Sequence, residues 1–334
     1  MALQHFPADV EYMHEPTDHP QFNESMYFNF VDGESGFSTL IRMGNRVNEG
    51  YAEVTVLLYL PDGRAAIHFE RAGITENSAF DAGGLRFDVV EPLEHMRVTY
   101  SGDTHVLSRG SDLEDPKQAF TESPVEHLEL RLAYENAIPV YGLGSSDGAA
   151  GGIAGLEDSI ATGHYQGPCR VMGTVKLGDS DERAIAGLGF RDHSWGPRIW
   201  QGPKYWRWIS GLVDDSNGFV GWVSKIGDKR VPDRGMVLHD GRFSLVTGID
   251  VSSTYGEEPH YPETMGLTLH TEEADFAIKG EVLALVPLRH RRDDQIARLA
   301  ELVCRYEFDG KTAYGISEYH DLMVDGVPAG IDEV

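Results

Sequence analysis

A chain of 334 residues with 41% hydrophobic and 25% charged side chains is a folded polymer rather than a disordered one, and is long enough for two domains with their own cores. A formal net charge of -26 repels phosphate backbones and anionic bilayers, so nucleic acid and membrane surfaces are not expected partners. No apolar run reaches the length of a membrane span and residues 1–19 lack the pattern of a secretory leader; with Cys169 and Cys304 as the only cysteines, no disulfide framework is expected and a reducing cytoplasm is the expected compartment.

The predicted elements are mostly strands. Ala52, Val54, Val56, Leu58 and Leu60 alternate onto one face, and Asp62-Gly63 turns the chain into Ala65–Phe69, which reads as a hairpin. Leu128, Leu130 and Leu132 repeat the pattern. The glycine-rich stretch 141–152 has the composition of a linker or lid; it lacks the spacing of a phosphate-binding loop and no βαβ unit surrounds it. The expected division is therefore 1–140 as a first β domain, 141–159 as linker or lid, and 160–334 as a second β domain. Val171, Gly173, Val175 and Leu177 form another alternating strand, and 184–190 reads as a buried one. Asp293–Leu302 fits a short helix as well as a strand, whereas Cys304, Tyr306 and Phe308 alternate cleanly. Asp-Gly pairs at 240–241 and 309–310 mark further tight turns. Many short strands with few helices predict a mostly-β chain of two antiparallel barrels or sandwiches.

The chemistry concentrates where the strand 184–190 delivers Arg191, Asp192, His193, Ser194 and Trp195 before Gly196-Pro197. If the strand continues, Arg191, His193 and Trp195 share one face while Asp192 and Ser194 take the other. An imidazole exchanges protons near neutral pH, and an indole face stabilises a developing cation. Asp192 is a candidate to orient the imidazole or to carry the proton itself. On residue pattern alone, a clamp in which Arg191 and Asp192 pin a turn, His193 is a satisfied core residue and Trp195 is packing is the slightly favoured alternative.

The run Gly189-Phe190-Arg191-Asp192-His193-Ser194-Trp195-Gly196-Pro197-Arg198 resembles a signature of a bacterial branch of the carotenoid 1,2-hydratase (hydroxyneurosporene synthase) and AttH-like superfamily. His164-Tyr165-Gln166, Gly173-Thr174-Val175, Trp206-Arg207-Trp208 and Tyr314–Tyr319 fit the same resemblance, which spans the C-terminal half. It implies two lipocalin-like barrels packed together, a hydrophobic pocket, and a His193–Trp195 pair that protonates an alkene and shields the cation until water captures it. The hydratase branch has a Tyr and Asp pair after the motif; here 206–222 offers Asp214 and Asp215 but no tyrosine.

Further candidates for substrate contact are Arg191, which suits a carboxylate or phenolate, His164, Tyr165, Trp206, Trp208, and Glu318 if it faces inward. His14, His19 and His68 form no zinc spacing, no His-Glu-x-x-His or Gly-x-Ser-x-Gly motif occurs, and neither metal nor cofactor is expected. The sequence thus leads to a cofactor-independent lyase, hydratase or isomerase acting on a hydrophobic small molecule of terpenoid, steroid-like or aromatic character. A lipocalin-like carrier of an apolar ligand and a structural module remain alternatives, and assembly as a homodimer is left open.

Overall fold

The computed structural model describes residues 6–142, 158 and 160–333, and divides the chain into two compact units, Ala2–Arg198 and Ile199–Val334. The glycine-rich stretch read as a linker or lid lies almost wholly outside the described residues.

The first unit contains β1 (Phe22–Val31), β2 (Ser38–Arg46), β3 (Tyr51–Tyr59), β4 (Ala65–Gly73), β5 (Asp81–Ala82), β6 (Leu85–Glu91), β7 (His95–Leu107), β8 (Val125–Asn136), β9 (Gly163–Leu177) and β10 (Arg183–Pro197). They form one antiparallel sheet in the order β4-β3-β2-β1-β10-β9-β8-β7-β6-β5, and an additional β4–β7 pairing closes it into a ring. The predicted hairpin is β3–β4, with Tyr59 opposite Ala65 and Gly63 at φ +88° in the turn. Alternation sends Met26, Phe28, Val54, Val56, Leu58, Leu130 and Leu132 inward, where they form one hydrophobic cluster.

The second unit contains β11 (Tyr205–Asp214), β12 (Asn217–Ile226), β13 (Lys229–Arg230), β14 (Arg234–His239), β15 (Arg242–Tyr255), β16 (Pro262–Thr271), β17 (Asp275–Arg292), β18 (Gln295–Phe308), β19 (Lys311–Val324) and β20 (Val327–Pro328). Its ring closes through β11–β19 around Ile209, Phe219, Leu267, Leu302, Tyr306 and Tyr319. Asp240-Gly241 and Asp309-Gly310 make the predicted tight turns, with both residues of each pair at positive φ. The segment that fitted helix or strand equally is strand from Gln295 onward, entered by Asp293 at φ +51°.

The observed division differs from the expected one. Strands β9 and β10 return to pair with β8 and β1, so the motif strand belongs to the N-terminal unit and the boundary falls after Arg198. The physical reason is ring closure: without β10 the edge of β1 would be left unpaired. The first half of β10 is also less buried than its composition suggests, Ala184 and Ala186 being exposed; Gly189 is where the sheet is tight, since a Cβ there would lie 1.9 Å from the Asn29 carbonyl oxygen. Among the described residues no helix is long and apolar enough to cross a membrane.

Candidate active site

β10 continues through the motif, with Arg191, His193 and Trp195 opposite Phe28, Met26 and Glu24 of β1 and opposite Gly167, Tyr165 and Gly163 of β9. The period of two therefore places three motif side chains in the ring interior beside a glutamate and a tyrosine. Gly163 makes room for the indole, because a Cβ at 163 would lie 2.1 Å from Trp195 Cε2.

These groups form one continuous hydrogen-bonded line. Arg191 Nη1 and Nη2 donate to the two carboxylate oxygens of Glu11 at 2.8 and 2.9 Å, and Arg191 Nε donates to Asn136 Oδ1 at 2.9 Å. Glu11 reaches this position from the 3₁₀ turn Ala8–Glu11 and also accepts the Leu93 amide at 2.7 Å. The Tyr165 hydroxyl donates to Glu11 Oε1 at 2.9 Å and lies 3.1 Å from His193 Nδ1. His193 Nε2 lies 2.9 Å from Glu24 Oε1, and His14 Nδ1 lies 2.7 Å from the same oxygen. The His14 amide donates to both Glu24 oxygens, and Asn77 Nδ2 donates to Glu24 Oε2 at 2.5 Å and to the His14 carbonyl at 2.9 Å. The His14 ring stacks on Trp195 with centroids 3.8 Å apart and planes 12° apart, while the His193 ring meets Trp195, Tyr165 and Phe80 edge-on.

Burial alone would drive Glu24 towards its neutral form, but the hydrogen bonds from His14, His193 and Asn77 and the charge of His193 outweigh it and hold the carboxyl down at about 2. Glu11 is likewise held below its ordinary value, burial being overcome by the Arg191 guanidinium. Burial pushes the Tyr165 hydroxyl well above its usual range, with Glu11 adding to the rise. Two ionised carboxylates can only accept hydrogen bonds. The imidazole nitrogens facing Glu24, His14 Nδ1 and His193 Nε2, are thus donors.

His14 Nδ1, Glu24 Oε1 and His193 Nε2 lie within 4.8 Å of one another, close enough for one metal ion. The contacts of 2.7 and 2.9 Å are hydrogen-bond lengths and account for the proximity. A second such group, Glu91, Glu94 and His95, occupies a largely exposed turn.

Of the predicted site residues, Arg191, His193, Trp195 and Tyr165 come together. Arg191 is not free to bind a substrate anion, since its guanidinium is buried and already bidentate on Glu11. Asp192 does not orient His193: alternation turns it to the opposite face, and Glu24 and Tyr165 occupy the imidazole nitrogens instead. His164 shares that opposite face, across from Ser194, and burial, with Arg198 nearby, lowers it to about 3, so it is held neutral and suits no proton relay at ordinary pH. Trp206, Trp208 and Glu318 belong to the C-terminal unit. There they alternate with Arg207, Ile209, Ser317 and Tyr319, and Ile209 and Tyr319 are the core residues, so none of the three lines that core. Trp206 stacks on His320 at 3.9 Å and donates to Glu318 at 3.3 Å. Sequence reasoning missed Glu11, Glu24 and Asn77 and gave His14 no catalytic place. A signal existed for Glu24, the only charged side chain in the otherwise apolar and amide-rich β1.

The fold is shared with solved structures. The AttH candidate NE1406 of Nitrosomonas europaea aligns over 95% of this chain and 96% of its own with a TM-score of 0.61 at 14% identity. CghA aligns over 93% and 90% with a TM-score of 0.55 at 9% identity. Kievitone hydratase from Nectria haematococca aligns over 93% and 94% with a TM-score of 0.54 at 9% identity. The expected likeness to AttH-like proteins thus holds at the level of fold, which at these identities is all that such similarity shows. No curated protein matches the chain. Residues 7–323 match the family described as domain of unknown function DUF7064, and the chain belongs to that family.

Proposed function

We propose that this protein is a lyase of the hydratase type, or an isomerase, that moves a proton on a hydrophobic terpenoid, steroid-like or aromatic substrate using protein groups alone. One observation carries the reading: the unbroken line Arg191–Glu11–Tyr165–His193–Glu24–His14 of proton-exchanging and charged groups inside an apolar ring. Such a line is expensive to bury, and a fold that needed only stability would do as well with apolar side chains. In the hydration direction a histidine proton passes to one alkene carbon, the π pair becomes the new C–H bond, and the neighbouring carbon becomes cationic. Water captures the cation and its surplus proton returns to the histidine. The Trp195 indole supplies a π face for that cation, and the water-poor interior strengthens each electrostatic contact. The fold shared with kievitone hydratase is compatible with this chemistry.

The test uses the purified chain in deuterated water with panels of terpenoid, steroid and prenylated aromatic alkenes and alcohols. Mass spectrometry then reads gain or loss of water and deuterium uptake. The expected result is turnover of at least one class, lost in His193→Gln and reduced in Tyr165→Phe. Recovery of a tightly retained apolar ligand without any turnover would replace the enzyme by a carrier.

A further inference from the structure

His193, at the centre of the line, has no exposed atom, and both ring nitrogens are occupied by Tyr165 and Glu24. Glu24, Tyr165 and Glu11 are buried to within 1%, and Arg191 to within 2%. None of them can touch a substrate without opening the interior. Followed outward, the line reaches an accessible side chain at His14, which is 24% exposed.

We infer that His14 is the catalytic residue, exchanging the proton with substrate through Nε2, and that Glu24 positions it. This deepens the proton-transfer reading above and rests on it. Three contacts fix the ring: Nδ1 on Glu24 Oε1, the residue's own amide on both Glu24 oxygens, and the flat face on Trp195. Asn77 ties the carboxylate to the His14 carbonyl, so the backbone and the ring are held by the same support. Nε2 has no hydrogen-bond partner among the described residues. A carboxylate on Nδ1 with Nε2 unpartnered fixes the tautomer in which Nε2 accepts a proton, and the carboxylate then stabilises the imidazolium that forms. The parallel indole adds a cation–π contact to that imidazolium. The substrate class that fits is a flat apolar molecule whose reacting carbon meets His14 Nε2 beside the Trp195 indole.

The test needs no knowledge of the natural substrate. In 5-nitrobenzisoxazole, a flat apolar probe, a base removes the ring C–H proton; the C–H pair becomes part of the nitrile and the N–O bond breaks to a coloured phenolate. The full chain is compared with His14→Gln, His193→Gln and the surface control His95→Gln, each checked for folding by circular dichroism. We expect the probe rate to fall about 100-fold in His14→Gln and to hold in His95→Gln. Wild type no faster than His14→Gln overturns the assignment. Loss in His193→Gln with retention in His14→Gln keeps the proton-transfer reading and rejects His14; no effect of either rejects both. Should His14→Gln not fold, diethyl pyrocarbonate on the wild type decides: Nε2 attacks the carbonyl carbon and ethyl carbonate leaves. Peptide mass mapping is expected to show the adduct on His14 and not on His193, and an unmodified His14 overturns the proposal.

Discussion

Replacing Arg191 with methionine removes one partner of a buried, bidentate ion pair while filling much of the same volume. The guanidinium is 2% and the Glu11 carboxylate 0% exposed, so the variant strands a carboxylate with only the Leu93 amide and the Tyr165 hydroxyl for support. Breaking a buried pair in this way costs about 3–5 kcal/mol, most of it the desolvation of the charge left behind. With a urea m-value of about 3 kcal/mol/M, the unfolding midpoint falls by about 1–1.7 M. Adding Glu11→Gln neutralises the stranded charge, so the double variant is expected to lose less than the sum of the two singles by about 2 kcal/mol. Urea titrations followed by circular dichroism measure all four forms. A single-variant midpoint within about 0.3 M of wild type, or strict additivity in the cycle, would refute the view that this pair is a buried charge couple.

Gly163→Ala puts a methyl into the space of the Trp195 ring, 2.1 Å from Cε2, and is expected to push the indole off His14 at a cost of about 1–3 kcal/mol; unaltered near-ultraviolet circular dichroism and tryptophan fluorescence would count against that packing. Acid is expected to destabilise the fold by two routes of the same sign. Glu24, near 2 when folded against 4.5 ordinarily, contributes stability above pH 4.5 that is lost as pH falls towards 2. His164, near 3 when folded against 6.5, lets the unfolded chain bind a proton first, so stability is lost as pH falls from 6.5 towards 3. His164→Gln removes the second route and should move the acid-unfolding midpoint to lower pH; an unmoved midpoint would mean that His164 is not buried in its neutral form.

The period-two pattern and the Asp-Gly turns made the β architecture legible, because alternation and positive-φ turns are local properties of the chain. The same alternation correctly grouped Arg191, His193 and Trp195. The domain boundary was not legible. A glycine-rich stretch between strands looks alike whether it links domains or connects two strands of one ring, and only the pairing of β10 with β1 decides. The carboxylates were hidden for a related reason. Glu11 and Glu24 lie far from residue 193 in sequence, and what brings them into its surroundings is the register Glu24↔Trp195 and the reach of the turn at 8–11, neither of which has a local signature. Asp192, next to His193 in sequence, was the natural but wrong partner, since neighbours along a strand point apart.

The seam between β1 and β10 also sets an order of events on the ribosome. The first strand of the ring meets its closing neighbour only after roughly 150 further residues have been made, which at translation rates of about 5–20 residues per second is a wait of about 8–30 s. Throughout that interval one side of β1 is an unsealed hydrogen-bonding edge, with Glu24 awaiting the imidazole of His193, so the nascent chain has a built-in window in which that edge is open to mispairing.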